Sequence, residues 1–464
     1  MATTGRRLLV GIVTLALVAA SCAETDPDDG APTTTVAVSS SRAIVVDSAD
    51  GDAGGAPTTT GTGPVDPDDA IRWALEYSGG VGGEAAGETV KIGLANNTSF
   101  FPEVDDGALL AAQFANDELG GVDGRPIEIV FCLAVTAEDG AACGAQFAND
   151  DSIVLALAGS LLAGNQEFYS AISGIKPGYT LGPLAVADYT TSDSVSYTSA
   201  ALGAGMGGGI FVAQDLQPER AALVVTDDAA GRGAISLLES ELSDAGIELV
   251  AVFVPPTATA PEIESALQSI GPESVDAILI GLFEQGCIAA YDALQNLAID
   301  PLETPVSTTA ACWGPRMQEH AANAGESGLL PNGWYFTNPL GYNLFGTGLE
   351  SGLDTYRLVL ADAGRADAVT NAGVAGAFAG VMSMVRHLNA VDGDWTFDRM
   401  NSEIRGFEGP AMLQAGPLDC GAPPVFTGVC STRVSAHRYI DESWDDVRAG
   451  DNLIDISPII MQEG

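Results

Sequence analysis

Positive charge is what this sequence has least of. Of 464 residues, 18 are Lys or Arg and 62 are Asp or Glu, for a net charge of −44. The imbalance is not confined to a tail. Residues 1–22 carry +2, residues 23–88 carry −11, and −35 falls on the remainder. A surface this negative repels nucleic acid and anionic headgroups, which argues against nucleic-acid partners and suits a soluble, aggregation-resistant body. Histidine is also scarce: His320, His387 and His437 lie far apart in the chain. HExxH, GxSxG and GxxxxGK[ST] are all missing, and with them the simplest routes to metal hydrolysis, acyl transfer and phosphate binding. No CxxC and no Cys–His cluster occurs, which disfavours zinc. The glycine-rich stretch Gly203–Gly209 has no nearby lysine and falls within a helical pattern, so it reads as close helix packing. Asp227-Asp228 at a strand end reads as solvated or capping carboxylates, with an acid pair or cation site as the alternative. An exported chain without a catalytic set, metal ligands or a cofactor motif points to binding rather than turnover.

The export signal is at the start. Arg6-Arg7 precede an apolar run from Leu8 to Ala20, too short to span a membrane comfortably and followed by small residues, as in a secretory signal. Ala19-Ala20-Ser21-Cys22 resembles a bacterial lipobox, which implies lipidation of Cys22, an extracytoplasmic location and anchoring to the cell membrane. Ordinary cleavage beside Cys22 is the alternative. Residues 23–87 read as an acidic Thr/Gly-rich tether without a stable fold, since no aromatic residue occurs between Ala23 and Val65. Within it, Asp66 to Tyr77 has helical spacing, and either docks on the body or forms a transient linker helix.

The body opens with Glu88–Ile129. Val90–Ala95 is a short apolar strand. A polar loop follows with Phe100 and Phe101, and then a helix with Leu110, Ala111, Phe114 and Ala115 at helical spacing. Gly120-Gly121 and Asp123-Gly124 end it before a second strand. Strand and helix alternate onward: Ile153–Ala158 is a continuous apolar run, as in a buried parallel strand. Thr136-x-x-Asp139 is a capping-box pattern. Near Pro218 the alternation restarts with Ala221–Thr226, Leu249–Val254, Ala277–Gly281 and Pro305–Thr309. Two such runs predict an α/β protein of two doubly wound parallel-sheet lobes. In such sheets ligands lie beyond the carboxyl ends of the strands, which places the loop Asn96–Val104 at the site.

Apart from Cys22 there are six cysteines, an even number in an exported chain, which suggests disulfides. Fifteen pairings exist in principle. Sequence neighbours suggest Cys132–Cys143, Cys287–Cys312 and Cys420–Cys430.

Val90-Lys91-Ile92-Gly93, the ligand loop, the helix and Gly120-Gly121-Val122-Asp123-Gly124-Arg125 resemble the opening of the substrate-binding proteins of ABC importers, in the branched-chain amino-acid (leucine-binding-protein-like) class of the type I periplasmic-binding fold. Asp228-Ala229-Ala230-Gly231 stands where that family has D-x-Y-G, Val275-Asp276-Ala277-Ile278 where it has a strand ADAV, and Phe407-Glu408-Gly409-Pro410 near its late FdGptG. The resemblance covers roughly Glu88–Val447. It implies three crossings between the lobes, near Leu216, Asn338 and Gly406. Residues 89–216 and 339–405 then form the first lobe, and residues 217–338 and 406–464 the second.

The resemblance also implies a binding cleft, and there the chain departs from the amino-acid binders. Their carboxylate-binding hydroxyl and Thr, their ammonium-binding acid and their turn Tyr fall here on Ala163, Val186, Ala310 or Ala311, and Ala230. Burying an ammonium without a partner is costly, so a zwitterionic amino acid is not the expected ligand. Ser160, Asn165 and loop amides remain for a carboxylate or carbonyl. Phe100, Phe101, Leu161, Leu162, Phe283 and Trp313 suggest an apolar or planar ligand, and Ser99, Leu184, Ala185 and Asp228 complete the candidate ligand-binding set. The expected function is a monomeric, lipid-anchored receptor that captures a small organic solute and delivers it to an ABC permease. A ligand sensor of the same fold, signalling to a membrane partner, is the alternative.

Overall fold

In the computed structural model, the structure describes residues 66–192, 194–227, 229–340, 352–414, 418–420, 427–448 and 452–457. The leader, the lipobox with Cys22 and the tether up to residue 65 lie outside the described residues.

Helix α1 (Pro67–Ser78) starts at Asp66, whose carboxylate accepts the backbone N–H of Asp68 at 3.1 Å, and ends at Gly79 with φ 68°. Gly79 can take this left-handed turn because it lacks a Cβ. Strand β1 (Val90–Asn96) leads to α2 (Pro102–Glu118), β2 (Ile127–Leu133), α3 (Ala137–Asn149), β3 (Ile153–Ala158), α4 (Asn165–Ile172), β4 (Gly178–Thr180) and the short α5 (Val186–Thr190). The four strands form one parallel sheet in the order β2-β1-β3-β4. Ile92, Leu94, Leu155 and Leu157 on one face, and Ala95, Ala156 and Ala158 on the other, are buried from solvent, as expected of a sheet covered on both faces. The capping box on α3 is present, with the Asp139 N–H bonded to Thr136 Oγ1 at 3.2 Å and the Thr136 N–H to the Asp139 carboxylate at 2.9 Å. The Cys132–Cys143 disulfide joins the end of β2 to α3.

The second sheet is built from β5 (Arg220–Thr226), β6 (Glu248–Val254), β7 (Ala277–Gly281), β8 (Val306–Thr309) and β9 (Tyr335–Asn338). Between them come α7 (Ala229–Asp244), α8 (Ala260–Ile270), α9 (Glu284–Asn296) and α10 (Pro315–Ala324). The order is β6-β5-β7-β8-β9, so β5–β8 repeat the layout of β1–β4. Three helices follow: α11 (Leu353–Asp362), α12 (Ala372–Ala390) and α13 (Phe397–Arg405). These return to the first lobe, where α12 packs along α2. A Cβ on Gly107 of α2 would stand 2.4 Å from the Val374 carbonyl, so glycine sets how close these two helices lie. The chain then closes the second sheet with β10 (Arg433–Ile440), β11 (Ser443–Asp446) and β12 (Leu453–Asp455). Strand β10 is antiparallel to β9, β11 and β12, so the second sheet is mixed.

Two sequence expectations change. The glycine-rich helix α6 (Ala200–Phe211) packs on the second sheet, against β8, β9 and β10. A Cβ on Gly207 would lie 2.1 Å from Val434 Cγ2, and one on Gly209 2.3 Å from Leu238 Cδ2. The first crossing therefore precedes Ala200 instead of lying near Leu216. Of the two readings of the first helix, the docked one holds: α1 lies on α11 and α12 with Ala70, Ala74 and Tyr77 buried, so the segment from Asp66 is not part of a tether.

The first and third crossings run side by side. The Ser196 N–H donates to the Gly428 carbonyl at 2.7 Å and the Cys430 N–H to the Ser196 carbonyl at 2.8 Å. The Arg405 guanidinium donates to the carbonyls of Thr427 at 3.2 Å and Ser194 at 3.0 Å, and also to that of Ser192. The Cys420–Cys430 disulfide lies within the third crossing. Among the described residues no helix is long and apolar enough to cross a membrane.

Candidate functional site

In both sheets the first strand lies between the second and third, so each has a switch point where successive connections diverge: β1/β3 in one, β5/β7 in the other. Ligands of open α/β sheets bind at such points, beyond the carboxyl ends. At the first, Asn96 ties the two strand ends together. Its Oδ1 accepts the Ser160 N–H at 3.0 Å, and its Nδ2 donates to the Phe101 carbonyl at 2.9 Å and the Asp105 carboxylate at 2.8 Å. Thr98 Oγ1 holds the other Asp105 oxygen at 2.6 Å. The loop carrying Phe100 and Phe101 is therefore fixed to the sheet rather than loose. Asn96, Thr98 and Asp105 were not singled out from the sequence. An Asn at the end of an apolar strand, followed by an acid in the next helix's first turn, is the one local hint of such a clamp.

The second switch point supplies Phe283, between β7 and α9. The three rings meet: Phe100–Phe101 at 5.3 Å between centroids, Phe101–Phe283 at 5.6 Å and Phe100–Phe283 at 6.3 Å. The pairs sit edge to face, the arrangement that the ring quadrupole favours. Phe101 is buried and Phe100 is about half exposed. Phe100 also borders a cavity of ≈ 390 Å³ whose other walls are the Pro256–Ala260 loop and the α9 residues Gln285, Ile288, Ala289 and Asp292. The lobes meet again where Gln318 Nε2 of α10 donates to Thr370 Oγ1 beside α12 at 2.7 Å.

Charge at the meeting point is acidic on both sides. Glu103, in the first turn of α2, has its pKa raised chiefly by burial and further by the negative charge of Glu284. Glu284 opens α9 and accepts the N–H groups of Arg316 at 2.9 Å and Met317 at 3.3 Å, at the start of α10. Burial raises its pKa against those hydrogen bonds and the nearby Arg316 charge. A carboxyl raised in the folded state is least costly when protonated, and its penalty grows as pH rises through the unfolded value near 4.5. Glu103→Gln is therefore expected to raise the Tm by about 1–3 °C at pH 7. The gain should vanish below about pH 4. A variant less stable than the parent at pH 7 would show that Glu103 is held by a favourable partner instead.

The other sequence-derived residues fall in distinct places. Ser160 is nearly buried, with its hydroxyl 3.5 Å from the Gly182 carbonyl. Ser99, Leu162, Ala163 and Val186 are exposed around the carboxyl ends of the first sheet, and Leu184 is partly so. Leu133, the last residue of β2, and Val135, just after it, are exposed at the carboxyl end of the same sheet. Leu161 is fully buried in the core around α3 and α4. Trp313 is fully buried in the second lobe, its ring centroid 6.2 Å from that of Phe336 and 5.7 Å from that of Trp444. Ala311 lies in the turn before it, and Cys312 in that turn is bonded to Cys287 of α9. Asn165 is committed to Asp188: its Nδ2 is 2.8 and 2.9 Å from the two carboxylate oxygens. Asp188 also accepts the Tyr169 hydroxyl at 2.6 Å and the N–H groups of Leu184 and Ala185 at 2.8 Å. Asp228 and the side chain of Ala230 lie outside the described residues.

Two α/β lobes with equivalent switch points turned toward each other define a solute-binding protein of the two-lobed, hinged kind. Residues 89–415 match the family model for periplasmic binding protein, and the chain belongs to that family. Its fold is similar to that of a leucine-binding protein from Thermotoga maritima, at 14% identity and a TM-score of 0.61 over 77% of this chain and 97% of that one. A solute-binding protein of an ABC transporter from Rhodopseudomonas palustris, in complex with p-hydroxybenzoic acid, is similar at 15% identity and a TM-score of 0.61, covering 77% and 95%. An ABC transporter substrate-binding protein from Desulfitobacterium hafniense, in complex with Leu, is similar at 17% identity and a TM-score of 0.57, covering 77% and 99%. No curated protein sequence matches the chain.

Proposed function

We propose that this protein is an extracytoplasmic solute receptor of an ABC importer, held to the membrane through lipid on Cys22, that closes its two lobes on a small apolar or planar organic molecule and presents the closed form to a permease. The observation that carries this reading is the meeting of Phe100 and Phe101 from one switch point with Phe283 from the other. Aromatic walls on both lobes give a ligand contacts that exist together only on closure, which is how differential affinity drives the motion. The exposed rim of Leu133, Val135, Leu162 and Val186 is apolar as well. The side chain of Asn97, buried beside this loop, has an Oδ1 without a hydrogen-bond partner among the described residues, which suits a hydroxyl or N–H on the ligand. The related structures with hydroxybenzoate and with leucine bracket the chemistry. The alanines at the positions expected to hold an ammonium favour the former class, a neutral or anionic compound with an apolar body.

Thermal unfolding against a panel of amino acids, aromatic and aliphatic acids, amides and neutral aromatics tests this, because a ligand of the folded form raises the Tm with concentration. An aromatic or apolar acid, or a neutral aromatic, is expected to give the shift. For that compound, Phe100→Ala and Phe283→Ala should each weaken binding by about 10- to 100-fold, the effect of losing one ring from a closed apolar site. A strong shift by leucine, isoleucine or valine would overturn the ligand class. Unchanged affinity in both Phe variants would remove the switch points from the site.

A further inference from the structure

We infer that helix α1, which precedes the family-matched residues, is a brace on the hinge, and that the Tyr77 hydroxyl is the point through which it holds the third crossing. The inference rests on the lobe motion of the preceding reading, but needs no ligand to test.

Residues 89–415 make up the family match, so α1 is an addition to that body. It docks on the first lobe by more than apolar packing. Thr355 Oγ1 donates to the Ala70 carbonyl at 2.9 Å, Arg386 Nη1 to the Tyr77 carbonyl at 2.7 Å, and Asn389 Nδ2 to the Ser78 carbonyl at 3.0 Å. The carbonyls of Tyr77 and Ser78, the last two residues of α1, are thereby satisfied by α12, where a helix end otherwise leaves carbonyls without partners.

The Tyr77 hydroxyl reaches further. Ser383 Oγ donates to the Ala379 carbonyl at 2.8 Å, so at its 2.9 Å contact with Tyr77 it accepts and the phenol donates. The phenol oxygen is then free to accept the Met412 N–H at 3.0 Å. Met412 lies in the segment between α13 and β10, which carries the chain from the first lobe to the second, and Ala411, Met412 and Leu413 are buried. One hydroxyl thus joins α1, α12 and the third crossing.

A second path runs beside it. The Arg386 guanidinium lies over the Tyr77 ring at 5.3 Å and over the Phe407 ring at 4.7 Å. Phe407, just past α13, stacks on Tyr197 of the first crossing with ring centroids 5.6 Å apart. The Tyr197 hydroxyl in turn donates to the Ile404 carbonyl at 2.6 Å, at the end of α13. The added helix is therefore linked through aromatic and cationic contacts to both crossings that run side by side. The brace fixes the start of the third crossing to the first lobe in the arrangement described here, in which Phe100 and Phe101 meet Phe283 across the lobes, and loosening it admits more open arrangements.

The test uses the full chain with bioorthogonal fluorophores at exposed Glu167 of α4 and Ser243 of α7, one on each lobe. Single-molecule energy transfer reads lobe separation, and hydrogen exchange reads the Phe407–Gln414 amides. Tyr77→Phe keeps the ring and removes the hydroxyl. It is expected to raise the open-to-closed ratio about 3- to 10-fold, the worth of one buried hydrogen bond, and to speed exchange at Met412. Ser383→Ala removes the other partner of the same hydroxyl but leaves the Met412 bond, and should move the ratio by less than about 2-fold. Equal shifts in the two variants would mean a general loosening of the first lobe and would overturn the brace. So would a Tyr77→Phe distribution that coincides with the parent's. One fixed separation in the parent at every temperature below unfolding would overturn the brace together with the motion it acts on.

Discussion

Asp188→Ala is expected to lower stability by about 3–5 kcal/mol, the range for breaking a buried charged network from one side. Asp188 is fully buried, and its two oxygens take hydrogen bonds from Asn165, Tyr169 and two backbone amides. Burial pushes its pKa above the ordinary carboxylate value, and those donors pull against that rise. Alanine leaves the Leu184 and Ala185 amides without their acceptor, and leaves Asn165 and Tyr169 only the Leu161 carbonyl and Thr180 Oγ1; each donor left unsatisfied costs about 1–3 kcal/mol. The damage should centre on the turn between β4 and α5, which the Leu184 and Ala185 amides hold to Asp188. Urea unfolding of the full chain measures the loss. Asp188→Asn, which keeps the shape and one acceptor oxygen, should recover part of it. A loss below about 1 kcal/mol for alanine would mean that water takes over the vacated contacts.

Removing the Cys287–Cys312 disulfide as the double alanine variant is expected to cost about 3 kcal/mol, in line with the 25-residue separation it closes. Its functional effect should exceed that of Cys132–Cys143, because of where it sits. Cys287 lies in the first turn and a half of α9, which presents Phe283 and Glu284. Cys312 lies in the turn after β8. The bond holds those two carboxyl-end turns of the second lobe together. Denaturant unfolding without reductant reads the stability loss, and the ligand-dependent Tm shift reads the site. A variant that loses stability yet keeps its full ligand response would show that the Phe283 turn is held by packing alone.

The alternation of strands and helices was legible because apolar runs such as Ile153–Ala158 have one stable fate, burial between two layers of helix. The cysteine pairs were legible for a similar reason, each joining neighbours in sequence. Helix α6 packs on the second sheet where the sequence places it with the first, because a run of glycines and alanines has no polar face to say which side is wet. Its place is decided by Val434 and Ile456, more than 200 residues further on. The fate of α1 was undecided for the same reason, since its partners come from α11 and α12. At the site, paired phenylalanines in a polar loop stand out, and the structure does bring Phe100, Phe101 and Phe283 together. Asn165 looked available because nothing local announces Asp188 as its partner. Glu103 and Glu284 were invisible in a chain this rich in acids, where only burial distinguishes one carboxylate from another.

The order in which the chain visits the two sheets has a consequence for biogenesis. Strand β9 is made well before β10, which completes its open side, and the helices α11–α13 that finish the first lobe emerge only after β9. The first lobe is complete only once α13 has emerged, and the second only once β10–β12 have joined β9, so those three strands act as the closing step for the second sheet. A chain threaded amino terminus first must wait, with the edge of β9 exposed to neighbours, until β10 arrives. Termination even a few residues before Arg433 would leave that edge permanently unpaired, and such fragments should aggregate rather than persist as a free first lobe.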